Sequence, residues 1–397
     1  MSSAIAGDPG SESTASSASP VALGYRARAL VDGAVVADST GAMQLEVSGN
    51  PPMLCFPRSD VRVEVVDADL LVPLPAEGLA ADYVAFDDDR ARVEVIDSTE
   101  ADAKRWPTWG DATDLIRMLD VIPDGDGYVS AAPRGFHCRA GITERVPIEA
   151  SHVLGQTVVI AGRHAPGRRV VHASLVCFRM ADASLPLRFD VAEPAHGKTF
   201  TTLVIDVTQQ GRRCMTVTLL LDTMAPDLIR HSAPAPAIGG PDDAEPYDMW
   251  VTGRDLRVAD GAYTGDPDAP VGPPVIDAWL RFHELPDDPA MHAGLLAQFI
   301  GHLPIAAALR PHPGIGEYEA HRTVSTAIMA LSLSIHADVR ADEWMLYHHE
   351  STFAGDGMTH AACRVHDEQG RLLASFSVEA MVRGFPEGAT VDERSSM

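Results

Sequence analysis

Hydrophobic and polar residues alternate along much of this chain, and the alternation gives way to longer apolar stretches with helical spacing. A period of two marks strands with one buried face, and apolar residues every three or four positions mark helices. Between about residues 20 and 98, "YRARALVDGAVVADST", "VRVEVVD" and "RARVEVID" read as strands. The first of these folds into a hairpin at Asp32 and Gly33. "DATDLIRMLDVIPDGDGYVSA" predicts a short helix, capped at Asp111 and striped by Leu115, Ile116 and Leu119, followed by a turn and a strand. From Ile148 onward a helix over residues 152–164 precedes four alternating runs, "RVVHASLVCFRM", "LPLRFDVAEP", "TFTTLVIDVTQQG" and "RRCMTVTLLLD".

A comparable set follows near the C-terminus. "VIDAWLRFHEL" reads as a strand, and a helix over residues 289–302 starts after Asp287 and Asp288. "TVSTAIMALSLSIHAD" is a further strand, and residues 342–384 read as two long strands joined by a turn at residues 367–370. One long helix against an antiparallel sheet, occurring twice, predicts a duplicated α+β domain. Its halves pair their sheets edge to edge and leave a cleft between the central helices. The expected organisation is a disordered Ser/Ala/Gly tail (1–19), a small β-rich domain (20–98) and two α+β halves (108–232 and 270–384). A Pro/Asp/Gly-rich connector (233–269) joins the halves.

The 397 residues, 46% hydrophobic and 22% charged, suffice for two or three domains with substantial cores. A formal charge of −25, from 56 acids against 31 bases, excludes a nucleic-acid-binding surface, which needs clustered Lys and Arg. No apolar run is expected to reach the roughly 18–20 residues of a membrane span, and residues 1–19 lack the basic start and apolar core of a secretory signal. Cys55, Cys138, Cys177, Cys214 and Cys363 are scattered, without a C-x-x-C pair. They read as free thiols in a reducing cytoplasm, so no disulfide, metal site or cofactor is expected. His348 and His349 are adjacent on a strand and point to opposite faces, which argues against paired metal ligands.

Residues 108–384 resemble the double hotdog of type II (TesB-like) acyl-CoA thioesterases. In the C-terminal half the resemblance rests on "AWLRFHELPDD", "LPIAAALRPH", "DEWMLYHHEST", "DEQGRLLAS" and "MVRG". In the N-terminal half it rests on "LGQTVV", "RVVHASLVCF", "HGKTF" and "QQGRR". Residues 20–98 resemble a short β-rich domain family of unknown function with a nucleotidyltransferase-like label, through "LVDGAVVADST", "CFPRSDVRVEVV" and "DYVAFDDDRARVEV". That family's Thr-x-Cys-Pro-Phe-Lys-Gly segment is replaced here by "LLVPLPAEGLA", and a structural or docking role is expected.

The TesB-like resemblance implies a substrate, an acyl thioester of CoA or of an acyl carrier, and a place in fatty acid metabolism. It also implies an Asp on the C-terminal helix, a Thr on the next strand and a Gln near the end of the last strand. The matching positions are Gly301, Ile328 and Val378, and none can take part in proton transfer. Thr326 and Glu379 stand nearby; a one-residue slip along a strand reverses the face, and Glu379 matches a structural neighbour of the family's Gln. His336 matches a family position that reads as structural.

Replacement candidates are His302 and Gln298, four apart on the C-terminal helix beside the empty Asp position, as catalytic base and orienting amide. His152 and Gln156 have the same spacing on the N-terminal helix and, with Thr326, are expected to bind substrate. Three readings stand at this point: a thioesterase with a relocated base, a double-hotdog dehydratase or hydratase, and a non-catalytic module that binds acyl thioesters or partner proteins. A homo-oligomer is compatible with each.

Overall fold

The computed structural model describes residues 18–385 except for 24, 48–52, 63–65, 75–78, 88–89, 97–102, 106–111, 131–147, 183–184, 248–252, 264–268, 284 and 317–323. Residues 1–17 of the expected tail, the Asp111 cap and Cys138 lie outside the described residues. Two compact units divide the chain, Met1–Val95 and Ile96–Met397.

The first unit is all β. Strands β1 (Ala18–Ala22), β4 (Met43–Val47), β5 (Met53–Pro57), β7 (Tyr83–Phe86) and β6 (Leu71–Val72) form an antiparallel sheet in that order. Strands β2 (Arg26–Val31) and β3 (Ala34–Ser39) form the expected hairpin, with Asp32 at φ 49° and Gly33 at φ 79°. Two positive φ values are what a two-residue turn needs to match the strand twist, and Gly adopts one of them without steric cost. Strand β8 (Arg92–Ile96) lies next to β2, where Arg28 and Arg92 hold the buried Glu94 carboxylate at 3.0 and 2.6 Å.

The second unit begins with β9 (Ala103–Arg105), helix α1 (Ala112–Leu119), and strands β10 (Val121–Asp124) and β11 (Gly127–Ser130). Helix α2 (Ala150–His164) follows, then β12 (Arg169–Cys177), β13 (Arg188–His196), β14 (Phe200–Gln209) and β15 (Arg212–Asp222). The C-terminal half contains β16 (Glu245–Pro246), β17 (Arg254–Val258), β18 (Val275–Phe282), helices α3 (Pro289–Phe299) and α4 (Pro304–Leu309), and β19 (Val324–Ile335). It closes with β20 (Met345–Gly355), β21 (Met358–Asp367) and β22 (Leu372–Gly384).

All of these strands but β9 form one thirteen-stranded sheet, β10-β11-β13-β14-β15-β12-β19-β22-β21-β20-β18-β17-β16. The halves join where β12 pairs antiparallel with β19, from His172 opposite Ser334 to Val176 opposite Ala330. Two central helices on a shared antiparallel sheet, with a small all-β unit earlier in the chain, make this an α+β double hotdog. Alternation explains the burial: Leu203, Ile205 and Val207 of β14 face the helices and are wholly buried, as are Ala374, Phe376, Val378 and Ala380 of β22, nearly so.

Four features depart from the sequence expectation. Helix α3 ends at Phe299 rather than at residue 302, because Pro304 has no N–H to bond the carbonyl of Ile300 and starts α4 instead. Residues 342–384 form three strands, not two, since a tight turn at Asp356 (φ 53°) and Gly357 (φ 76°) divides them before the turn at Asp367–Gly370. The connector contributes β16 and β17 to the sheet edge, and part of it packs on the outer face, with Ile238 and Ala244 against Trp279, Leu346 and Trp344. Finally, Pro289–Leu309, 21 residues, is long and apolar enough for a membrane span. It is instead the core helix pair α3–α4, largely buried.

The central helices run antiparallel and touch. A Cβ on Gly155 would stand 2.6 Å from the Gly294 carbonyl oxygen, and one on Gly294 would stand 2.7 Å from Val159 Cγ2. At this crossing the helices leave no cleft between them, and Leu119 of α1 covers it. Gly155→Val is predicted to destabilise the protein by about 2–3 kcal/mol in urea denaturation, because the obstructing atom is backbone and cannot rotate away. An unchanged midpoint would show that the helices do not touch there.

Candidate functional site

The start of α2 meets the end of α3. Helix α2 is buried on every side from Ala150 to Ala161, so polar residues on it are shut away from water wherever they fall. Glu149 is its N-cap residue, with no side-chain cap hydrogen bond. Opposite lies the turn that Pro304 imposes after Phe299, and this turn presents Gly301 and His302 to α2.

Gly301 fits there only because it has no side chain. A Cβ would come 2.4 Å from Ser151 Oγ and 2.8 Å from Ile328 Cδ1. Gly301 and Ile328, two of the three matched positions, are thus brought together, and Ser151 and Ile328 fill the volume of any larger residue. Val378 lies on the same inner face, in the apolar core with Ile328. Glu379 points to the opposite face and pairs with His360 at 3.5 Å.

His302 stacks on Phe299 with ring centroids 4.7 Å apart, and its Nδ1 lies 3.6 Å from Glu149 Oε2. Burial, reinforced by the Arg254 charge, pushes its pKa down to about 3. His152 is buried beside the carboxylate of Glu149 and within electrostatic range of His302; burial is the larger effect and pushes its pKa down to about 4. Both rings are therefore neutral near pH 7. Gln156 donates from Nε2 to the Met118 carbonyl at 2.7 Å, which ties α2 to α1. Gln298 is buried on the α2-facing side of α3, its Cβ 3.4 Å from where a Gly155 Cβ would be. Thr326 is buried two residues before Ile328 on the same face of β19, opposite Val382.

His152 and Gln156 thus sit on α2, Gln298 on α3 and His302 in the turn that follows it, with Thr326 on the adjoining strand. Sequence reading missed Ser151 and Glu149, whose importance lies in what the opposite helix leaves open. A small polar residue at the first turn of a buried helix was the available signal. His348 and His349 do face opposite ways, to Asp277 at 2.7 Å and to the Ile276 carbonyl at 3.1 Å. His336 bonds Ser375 Oγ at 3.0 Å. Cys55, Cys177, Cys214 and Cys363 are free thiols. Among the described residues no three His, Cys, Asp or Glu side chains are grouped to hold a metal ion.

Two touching helices wrapped by one continuous antiparallel sheet define a double hotdog. The profile of the acyl-CoA thioesterase C-terminal domain family matches residues 229–382. Acyl-coenzyme A thioesterase 8 of Rattus norvegicus is 24% identical over 327 residues, covering 75% of this chain and 98% of that protein. The Homo sapiens protein of the same name is 24% identical over 272 residues, covering 59% of this chain and 80% of its own length. Among solved structures, acyl-CoA thioesterase II TesB2 from Mycobacterium marinum has a TM-score of 0.56 at 24% identity, covering 69% of this chain and all of that one. A hot dog protein from Alicyclobacillus acidocaldarius has a TM-score of 0.53 at 15% identity, covering 68% of this chain and 98% of its own. The chain has the hotdog fold and is similar to TesB-like acyl-CoA thioesterases.

Two predictions follow from this geometry. Gly301→Asp should cost about 1–3 kcal/mol of stability through overpacking, and adding Ser151→Gly should recover part of it; equal stability of the single variant would contradict the contact. The second concerns pH. Because both histidines hold folded pKa values below the ordinary 6.5, the unfolded chain binds more protons between that value and about 4. Their stabilising effect is complete above pH 6.5 and declines as the pH falls. His302→Gln should flatten the stability-versus-pH slope below about pH 6 by up to about 1.4 kcal/mol per pH unit, measured by urea unfolding. An unaltered slope would mean that His302 is not buried as a neutral ring.

Proposed function

We propose that this chain hydrolyses acyl-CoA thioesters, using His302 as the base and Gln298 as its orienting amide, with Thr326, His152 and Gln156 walling the site. The observation that carries the reading is the neutral His302 ring at the α2–α3 junction, with Glu149 3.6 Å from Nδ1. A water oxygen attacks the thioester carbon while its proton passes to the imidazole, and Glu149 stabilises the imidazolium. The N–H groups of the first turn of α2 have no acceptor within their own helix and are suited to the developing oxyanion. Collapse breaks the C–S bond, and the proton moves from His302 to the CoA sulfur.

A second reading, binding of acyl thioesters without turnover, is favoured by the same ring. A base with a pKa near 3 is far from the operating pH at which proton transfer is most efficient. Assay of the full chain against short, medium and long acyl-CoAs separates the two. Under the first reading His302→Ala lowers kcat on the order of 100-fold, with melting temperature checked in parallel. Unchanged turnover removes His302 from the mechanism, and acyl-CoA binding with no hydrolysis by the parent protein establishes the second reading.

A further inference from the structure

The helix junction contains more polar atoms than it satisfies. Ser151 Oγ, Gln156 Oε1, Gln298 Oε1 and His302 Nδ1 are each buried without a hydrogen-bond partner. Ser151 is 0% exposed and Gln298 is 4% exposed. An unsatisfied buried acceptor or hydroxyl costs roughly 1–3 kcal/mol, so such atoms in native proteins are normally met by an enclosed water or a ligand.

Three of the four belong to one seam. Ser151 Oγ occupies the space that a side chain at Gly301 would take, and Gln298 stands one helical turn before Gly301, next to Gly155. Ser151 and Gly155 are themselves one turn apart on the facing side of α2. His302 follows Gly301 directly. The fourth, Gln156 Oε1, is directed by the Nε2 bond toward α1.

We propose that Ser151 is a further catalytic residue, holding the attacking water together with Gln298 and His302; this rests on the hydrolase reading above. A water offers two hydrogens and two lone pairs. Gln298 Oε1 and His302 Nδ1 accept the hydrogens, and the Ser151 hydroxyl donates to one lone pair. The remaining pair forms the new C–O bond. The carbonyl π electrons move to oxygen, the water proton goes to His302, and the C–S bond breaks with that proton returned to the leaving sulfur. No other reactant is needed.

The test compares the full-length protein with Ser151→Ala and Ser151→Gly on octanoyl-CoA, with unfolding measured alongside. Loss of about 10- to 100-fold in kcat at unchanged KM is expected for Ser151→Ala. Ser151→Gly makes room for a second water and should recover part of that loss, and it serves as the working variant should the alanine protein fail to fold. Acid-quenched mass spectrometry during turnover should show no acyl adduct on Ser151. Equal kcat in a folded variant, or an octanoyl group on Ser151, would overturn the water-holding role while leaving hydrolysis intact. A parent protein that turns over no octanoyl-CoA or other acyl-CoA overturns both this role and the hydrolase reading.

Discussion

Backbone contact between α2 and α3 at Gly155 and Gly294 is the constraint on which the hotdog region depends. A Cβ at either position would stand 2.6 or 2.7 Å from the facing helix, closer than atoms pack, and the opposing atoms are a carbonyl oxygen and a valine methyl. Held this close, the helices bring Ser151 against Gly301 and shut Gln156 and Gln298 away from solvent. Their polar atoms then lie in a low-dielectric setting, where each hydrogen bond is stronger and each missing one more costly. The same contact lets a single antiparallel sheet wrap both helices with apolar residues of every second position inward.

Much of this architecture is legible in the sequence because one face of each strand is buried and the period of two survives. The hairpin at Asp32 and Gly33 is readable because its turn type demands those residue types. The division at Asp356 and Gly357 was equally written in an Asp-Gly pair, lying between "DEWMLYHHESTF" and "THAACRVHDEQG". Strands β16 and β17 were not readable: they are short, and the acidic, Pro-rich stretch around them resembles a linker. The end of α3 shows the limit of periodicity, since the apolar stripe continues across Pro304 while the hydrogen-bond ladder does not.

The site is less legible, and for a different reason. Spacing alone singles out His302 with Gln298 and His152 with Gln156, because four residues make one helical turn. Nothing in the spacing shows that Ser151 meets Gly301, since one starts a helix, the other follows one, and they belong to different halves of the chain. Nor does it show that burial keeps both rings neutral. Chemistry here depends on what a glycine leaves open, and an empty space has no letter in the sequence.

The junction between the halves has a further consequence for how the protein reaches this state. His172 and Ser334, bonded at 3.0 Å across β12 and β19, are 162 residues apart in the chain. Bringing such distant segments together costs chain entropy before any contact compensates for it, and topologies rich in distant pairings fold slowly. Each half has its own helix and most of its own strand pairings, so local order can precede the junction. Until β12 and β19 meet, both present unpaired edges in the middle of what becomes the sheet. Edges of that kind also pair with other chains, so the interval before closure is when this protein is most exposed to aggregation.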